Sequence, residues 1–157
     1  MLLTGEYSSR LDAKNRLVIP SKVRDRIDVQ VEGAGWYIVP GFDGTISLYT
    51  PSTFERLANR DKAELFRLDD VRAFDRLHFP LSSHAEMDRL GRILVPEVTL
   101  RRTGIGKDVV IVGVRDHLEV WAAEKWEAFL SAKFSQHDEL ARKAYDTELE
   151  DRRKSSS

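Results

Sequence analysis

The chain has 157 residues, of which 41% are hydrophobic and 32% charged, and this composition is typical of an ordinary soluble globular protein. Its formal net charge of −1 excludes a uniformly basic nucleic-acid binder, and its lack of cysteine excludes disulfide scaffolds, thiolate zinc sites and cysteine nucleophiles. The longest apolar runs, such as Val109–Val112, are far shorter than a membrane span, and no secretory signal pattern opens the chain, so we expect a cytoplasmic protein.

The N-terminal segment predicts two short strands joined by a turn, followed by a short helix. Residues 6–11 and 16–19 are the predicted strands, with the turn at residues 12–15. Asp favours turn initiation and Asn tolerates a left-handed backbone, which suits Asp12 and Asn15 to the two ends of this turn. Pro20 ends the second strand, and residues 21–27 are the predicted helix.

The next segment predicts a hairpin that leads into a second helix. Residues 37–40 and 45–49 are the predicted strands, and the Asp-Gly pair at 43–44 is a strong hairpin signal. Before them, Gly33-Ala34-Gly35 indicates a loop. After them, Ser52-Thr53-Phe54-Glu55 has the pattern of a capping box that opens a helix.

Two further helical regions follow from the spacing of apolar residues. Between Asn59 and Leu81 helical spacing is kept by five residues: Leu65, Leu68, Val71, Phe74 and Leu77. A second apolar stripe predicts one long helix from about Ala123 to about Leu149. The final residues, 154–157, are predicted to be disordered.

The sequence contains an internal repeat. The nine residues Asp12–Pro20 recur 76 positions later as Asp88–Pro96. Both copies begin with Asp, have Arg at the fifth position, then three aliphatic residues, and end with Pro. Later matches at an offset of 72 pair residues 37–41 with 109–113, 46–49 with 118–121 and 54–57 with 126–129. Convergence on a generic strand-turn-strand pattern does not explain the matched Asp, Arg and Pro, so the repeat indicates duplication.

The repeat divides the chain into four predicted parts: a first repeat at 5–52, a helical connector at 53–81, a second repeat at 82–124, and a C-terminal helix with a charged tail at 125–157. Each repeat is too small to bury a sufficient core alone, so we expect the two copies to pair and share one core. The predicted fold class is mainly β with α (α+β).

Charge is segregated along the chain. Residues 8–26 carry a net charge of +4 and residues 82–107 carry +2, whereas residues 138–151 carry −4. Taken alone, these counts favour ordinary solvated surfaces. A basic patch on a duplicated strand-turn element also suits phosphate binding, and strands can enter a DNA groove.

The paired acidic and basic residues of each turn have two possible roles. Asp12 and Asp88 are expected to be mainly structural, because a carboxylate at this place accepts hydrogen bonds from the turn and pairs with the Arg. Two roles stay open for Arg16 and Arg92, binding to the turn and binding to a phosphate, since the guanidinium fork suits both.

Signals for an enzyme or a metal site are poor. The four histidines, His78, His84, His117 and His137, do not form a metal-binding spacing, and no nucleophile or phosphate-loop motif is present. We therefore predict a protein that is not an enzyme and that uses no metal or other cofactor. The aromatic residues at matched strand positions are expected to pack in the core.

Several of these segments resemble the MraZ family. They include Gly5-Glu6-Tyr7, the two segments Leu11–Pro20 and Asp88–Pro96, Val110-Ile111-Val112-Gly113 and Leu118-Glu119-Val120-Trp121. The resemblance implies two tandem swapped-hairpin SpoVT/AbrB-type β-barrel repeats. It further implies a nucleoid-associated bacterial transcriptional regulator that acts on the promoter of the division and cell-wall gene cluster, including its own, and that assembles into a ring and binds repeated short boxes of double-stranded DNA.

The resemblance also suggests roles for individual residues. The Arg of Asp-x-x-x-Arg is the family's best DNA-contact candidate, which corresponds to Arg16 and, through the repeat, to Arg92. The full predicted DNA-binding set is Arg10, Lys14, Arg16, Arg89 and Arg92. The structural motif comprises Asp12, Pro20, Asp88 and Pro96. The first turn departs from the family pattern at Asn15, where Gly is usual, and the second has Leu90 opposite Lys14.

A different class of function stays open. AbrB-type folds also occur in antitoxins, which hold a toxin with an extended tail, so the alternative is a protein-interaction module. The tail of this chain is predicted to be helical and amphipathic, which disfavours that alternative.

Overall fold

The computed structural model describes residues 1–60 and 68–157. The strands are β1 Glu6–Arg10, β2 Arg16–Val18, β3 Trp36–Pro40, β4 Ile46–Tyr49, β5 Ser83–Ala85, β6 Arg92–Leu94, β7 Asp108–Gly113 and β8 Leu118–Ala122. The helices are α1 Ser21–Arg24, α2 Val29–Glu32, α3 Pro51–Ala58, α4 Asp69–His78, α5 Glu97–Thr103, α6 Ala123–Lys133 and α7 His137–Ser155.

Within the described residues the strands form two antiparallel sheets. The larger sheet has the order β1-β7-β8-β4-β3-β5, and the smaller pairs β2 with β6. The counterparts in the two copies are β1 and β5, β3 and β7, and β4 and β8. If each strand is replaced by its counterpart, the same order results, read from the other end. This symmetry is what a duplicated sequence predicts. The antiparallel sheets together with the helices confirm the α+β fold class.

The two copies exchange strands. Among the described strands, the first strand of copy one, β1, pairs only with β7 of copy two, and the first strand of copy two, β5, pairs only with β3 of copy one. The copies also join at the sheet centre, where Ile46 of β4 lies opposite Val120 of β8. Neither copy therefore has a complete sheet without the other.

One hydrophobic core results from this exchange. Alternate residues of the central strands, including Ile38, Leu48, Ile111 and Leu118, are almost fully buried on one face of the sheet. The residues between them point to the opposite face, because strand side chains alternate. Truncation of one such core residue to Ala typically costs about 2–5 kcal/mol of stability. The region Met1–Ala123 forms one compact unit.

The predicted hairpin between β3 and β4 is confirmed. Asp43 and Gly44 have φ angles of 59° and 74°, and the Thr45 amide donates to the Phe42 carbonyl at 3.1 Å. Two successive positive φ angles are characteristic of the turn type that matches the twist of the flanking strands.

Two details of the helices differ from the prediction. The short helix ends at Arg24 rather than Ile27, because Asp28 starts a separate helix by accepting the Gln30 amide at 2.9 Å. The helix α3 begins earlier than the predicted cap at Ser52. Its N-cap is Thr50, whose side chain accepts the Thr53 amide, with a favourable proline at the first helical position.

The prediction that the connector is helical is confirmed for α4. Val71, Phe74 and Leu77 lie in α4, whereas Leu68 is its N-cap residue. Leu65 lies outside the described residues. Across the described residues, no helix is both long and apolar enough to cross a membrane.

The region Glu124–Ser157 forms a second unit. It is helical as predicted, but a turn of 3-10 helix at Phe134–Gln136 separates α6 from α7. The predicted disordered end is wrong, because α7 continues to Ser155. Acidic residues in its first turn and basic residues in its last turn complement the helix dipole and stabilise this length.

Candidate nucleic-acid interface

The two copies of the repeated motif meet in a two-stranded ribbon formed by β2 and β6, hereafter the ribbon. Three residue pairs lie opposite each other: Arg16 with Leu94, Leu17 with Ile93, and Val18 with Arg92. Leu17 and Ile93 are buried in the core. Because side chains alternate along a strand, the other four occupy the outer face of the ribbon, where each arginine lies opposite an aliphatic residue.

The first turn, residues 12–16, is organised by one carboxylate. Asp12 Oδ1 accepts the backbone amides of Lys14 and Arg16, each at 2.9 Å. Its other oxygen, Oδ2, accepts Nε of Arg16 at 2.6 Å. The same aspartate therefore closes the turn and orients the arginine that follows it.

The second turn, residues 88–92, repeats this geometry. Asp88 Oδ1 accepts the amides of Leu90 and Arg92 at 2.9 and 3.0 Å, and Oδ2 accepts Nε of Arg92 at 2.7 Å. Each distance lies within 0.1 Å of its counterpart in the first turn.

Hydrogen bonding keeps both aspartates ionised. The backbone amide of Arg16 is the main cause that lowers the pKa of Asp12 to about 2, with further contributions from the Arg16 side chain and the Lys14 amide. The Arg92 amide and side chain likewise lower the pKa of Asp88. Each carboxylate is therefore a permanent anion at neutral pH, and each arginine is held beside it.

The turns are joined to each other by the backbone. Asn15 and Gly91 occupy equivalent positions with left-handed φ angles of 61° and 75°. The carbonyl of Asn15 accepts the Val95 amide at 2.9 Å, and that of Gly91 accepts the Ile19 amide at 2.8 Å. The turn of each copy is thus bonded to the strand of the other. Directly after these two donors, Pro20 and Pro96 end the strands and precede α1 and α5.

The terminal nitrogens of the two arginines are the donors that the Asp contact within each turn does not use. The side chain of Arg16 is 33% exposed and that of Arg92 is 24% exposed. The Asp contact in each turn uses Nε, and a guanidinium carries four further N–H donors on its two terminal nitrogens. Arg92 Nη1 also lies 3.9 Å from Asp12 Oδ2, which brings the two motifs to one site.

The remaining predicted cations are placed less uniformly. Lys14 and Arg89 are both exposed at the turn tips, but they are not equivalent in the repeat, since Lys14 corresponds to Leu90 and Arg89 to Ala13. Arg10, at the end of β1, pairs with Asp108 at 2.9 Å with both side chains about 70% exposed. Part of its charge is therefore already compensated.

Two cations that support the turns were not predicted as site residues. Lys107 Nζ donates to the Asp12 carbonyl at 3.0 Å and to Asn15 Oδ1 at 2.8 Å. Arg24 donates to the Ile19 carbonyl at 3.1 Å, and its guanidinium lies over Gly91. Lys107 is more than 90 residues from the first turn, so no local pattern signals this contact.

Two exposed aliphatic residues were also missed. Val18 and Leu94 are 43% and 57% exposed on the outer face of the ribbon. Strand alternation could have identified them, because it predicts that Val18 and Leu94 point outwards when Leu17 and Ile93 point into the core. Among the described residues, no group of three or more His, Cys, Asp or Glu side chains is placed to hold a metal ion.

Known proteins that resemble this chain belong to one family. A family model described as "MraZ protein, putative antitoxin-like" matches residues 2–77 and 82–146. A protein named transcriptional regulator MraZ from Heliobacterium modesticaldum is 32% identical over 94% of this chain and 100% of its own length. Proteins of the same name from Finegoldia magna and Limosilactobacillus reuteri are 34% and 36% identical over 94% and 89% of this chain, and over 100% and 95% of their own lengths.

Proposed function

Because the chain belongs to the MraZ family, whose relatives above are named transcriptional regulators, we propose that it regulates transcription by binding double-stranded DNA through the outer face of the ribbon. The observation that carries this proposal is the duplicated turn, which presents Arg16 and Arg92 from adjacent strands with matched geometry. The B-DNA major groove is about 12 Å wide and admits a two-stranded ribbon.

The arginines are suited to base recognition. The Asp contact at Nε holds each guanidinium plane, so less conformational entropy is lost when the terminal nitrogens bind DNA. Such nitrogens pair with O6 and N7 of guanine or with a phosphate. Val18 and Leu94 lie beside them and suit contact with thymine methyl groups.

The tip cations are suited to the DNA backbone. Lys14 and Arg89 are exposed, and neither has an ion pair among the described residues. We assign them to phosphates, which supply affinity without sequence choice. Arg10 has a smaller role in this proposal, because Asp108 competes for its guanidinium.

One ribbon carries few cations, so we also propose that several copies of the chain assemble. Several subunits in a homo-oligomeric ring would engage repeated short boxes together, and avidity would raise the affinity. On family membership we further propose that the target is the promoter of the division and cell-wall gene cluster, including the protein's own gene. The protein would then act in the cytoplasm, associated with the nucleoid.

The test is fluorescence anisotropy with the full chain, a duplex from the DNA upstream of its gene and a scrambled duplex of equal length. The variants are Arg16→Ala and, as a matched control, Arg56→Ala, which removes an exposed arginine of α3 outside the ribbon. A true base contact costs about 1–3 kcal/mol when removed. We therefore expect Arg16→Ala to weaken promoter binding by about 5- to 150-fold and the control to change it by less than about twofold.

Repetition over a salt series separates the two kinds of contact. Binding should fall linearly on a log-log plot against salt, with a slope that reports the number of phosphates neutralised. Equal, weak binding to both duplexes by the wild type would refute the proposal and direct the search to a protein partner, as in the antitoxin-like alternative.

A further inference from the structure

Two adjoining cavities lie beside α4, on the face of the large sheet opposite the core. Their volumes are about 630 and 480 Å³, and both are lined by Tyr49, Phe74 and His78. Val39 and Ser47 also line the larger cavity, and each alternates along its strand with a core residue, which places them on the other face. Cavities of about 300–1,000 Å³ are the usual size of small-molecule sites.

Aromatic rings form much of the wall. Phe74 and His78 of α4 stack with ring centroids 4.8 Å apart, and Tyr49 of β4 stacks on His117 at 4.9 Å. Burial lowers the pKa of His78, so its ring is neutral at pH 7. The faces of such rings carry partial negative charge and attract cations.

Among the described residues that line the cavities, the charged side chains other than histidine are carboxylates. Glu119 lines the larger cavity and Asp70 the smaller, and no Lys or Arg is among the described lining residues of either one. Burial alone would lower the pKa of His117, but its carboxylate neighbours Glu119 and Asp116 raise it. Its Nδ1 lies 2.8 Å from Asp116 and its Nε2 lies 3.6 Å from Glu119. One imidazolium cannot neutralise both of its carboxylate neighbours.

Glu119 is held in place and ionised. Its Oε2 accepts Nε1–H of Trp121 at 2.8 Å. The imidazole of His117, whose Nε2 lies 3.6 Å from Oε1 of Glu119, is the main cause that lowers the pKa of this carboxylate. A fixed, partly buried carboxylate beside aromatic faces is the combination that recognises an organic ammonium ion.

From this geometry we propose that the cavities bind a small organic cation with an apolar body, an alkyl- or arylamine, whose ammonium group lies at Glu119 and whose body packs on Tyr49 and Phe74. The ribbon shares no lining residue with these cavities. The site is therefore distinct from the proposed DNA interface and independent of it.

The test uses isothermal titration calorimetry with the full chain at neutral pH and two probes with the same apolar body, phenethylammonium chloride and sodium 3-phenylpropionate. We expect the ammonium probe to bind saturably with a Kd of about 1 mM or below, and the carboxylate probe to bind at least about tenfold more weakly, because the two interact oppositely with the carboxylates.

Three variants locate the site. Glu119→Gln keeps an acceptor for Trp121 but removes the charge, and Phe74→Ala removes a half-exposed ring from α4 with little effect on the core. Each should weaken binding of the ammonium probe by at least about fivefold. Glu55→Gln, an exposed carboxylate on α3 outside the cavity lining, should leave the Kd unchanged.

Several outcomes would overturn the proposal. Equal affinity for the two probes would show that the carboxylates do not select the ammonium group. Absence of saturable binding would show that the cavities are not a binding site. A change in the elution volume of Phe74→Ala on size exclusion, without binding of either probe to the wild type, would identify this face as a subunit interface instead.

Discussion

The first and second turns reach the same geometry by different means. Both fold around an aspartate that accepts two backbone amides and one arginine Nε. The left-handed residue is Asn15 in the first turn and Gly91 in the second. The supporting cation is Lys107 for the first turn and Arg24 for the second, and these two residues come from unrelated positions in the repeat.

This difference shows which parts of the motif determine its shape. The aspartate and the arginine are common to both turns, whereas the left-handed residue and its supporting cation vary. Asn15 pays a steric cost that glycine does not, and its side chain compensates by accepting a hydrogen bond from Lys107. The copies have therefore diverged around a constant pair of aspartate and arginine.

The largest expected effect tests whether the two turns are equivalent in function. Arg16→Ala and Arg92→Ala should each weaken promoter binding by about 1–3 kcal/mol, and the two losses should agree within about threefold in Kd, because the geometry is matched. The double variant should bind more weakly than either. Anisotropy titrations measure all three, and a loss confined to one arginine would show that only one copy reads DNA.

The next effect concerns the left-handed residues. Gly91→Ala should lower the free energy of unfolding by about 1–2 kcal/mol, because an L-residue at this φ is strained. The new Cβ would also lie 2.7 Å from Cζ of Arg24, which must then move. Asn15→Gly should be nearly neutral, since it relieves strain but loses the bond to Lys107. Urea denaturation compares the two, and a larger loss for Asn15→Gly would reverse this ranking.

A smaller effect concerns the turn tips. Leu90→Lys places a cation at the position equivalent to Lys14, and Lys14→Leu makes the opposite change. The first should increase the number of phosphate contacts and steepen the salt dependence of binding by about one unit of slope, whereas the second should reduce it by about one. Unchanged slopes in both variants would mean that the tips do not reach the backbone.

The last effect concerns the aspartates themselves and changes only on acidification. The folded-state pKa of Asp12 is about 2 against an ordinary value of 3.8, so its charged form is favoured by folding. The stability that it contributes is present above about pH 4 and is lost as the pH falls towards 2. The difference in unfolding free energy between the wild type and Asp12→Asn should therefore be constant at neutral pH and shrink below pH 4. A difference that grows on acidification would contradict this assignment.

Much of the fold was predictable because it rests on local patterns. The hairpin at Asp43-Gly44 follows from the φ preferences of two residues, and the turns follow from Asp12 and Asp88. The misplaced cap of α3 has a local reason as well. Thr50, two residues before the predicted cap, accepts a hydrogen bond from the Thr53 amide and precedes a proline that favours the helix start.

The candidate site was predictable only in part. Each arginine of the motif was identified, because it recurs at a constant distance from an aspartate. The support from Lys107, the compensation of Arg10 by Asp108 and the cavities beside α4 were not, since each joins residues far apart in the chain. The break between α6 and α7 also escaped prediction, because the apolar stripe continues across it.

The sequence by itself determined the duplication, the two aspartate-centred turns, the arginines they orient and the family to which the chain belongs. These depend on residue identity at short, constant spacings. Only the tertiary structure decided that β1 and β5 are the strands that the copies exchange, that β2 and β6 place both arginines on one face, and that α4 leaves cavities over the sheet. Those features depend on which strands pair over long distances, and the free energy of burying one shared core selects that pairing.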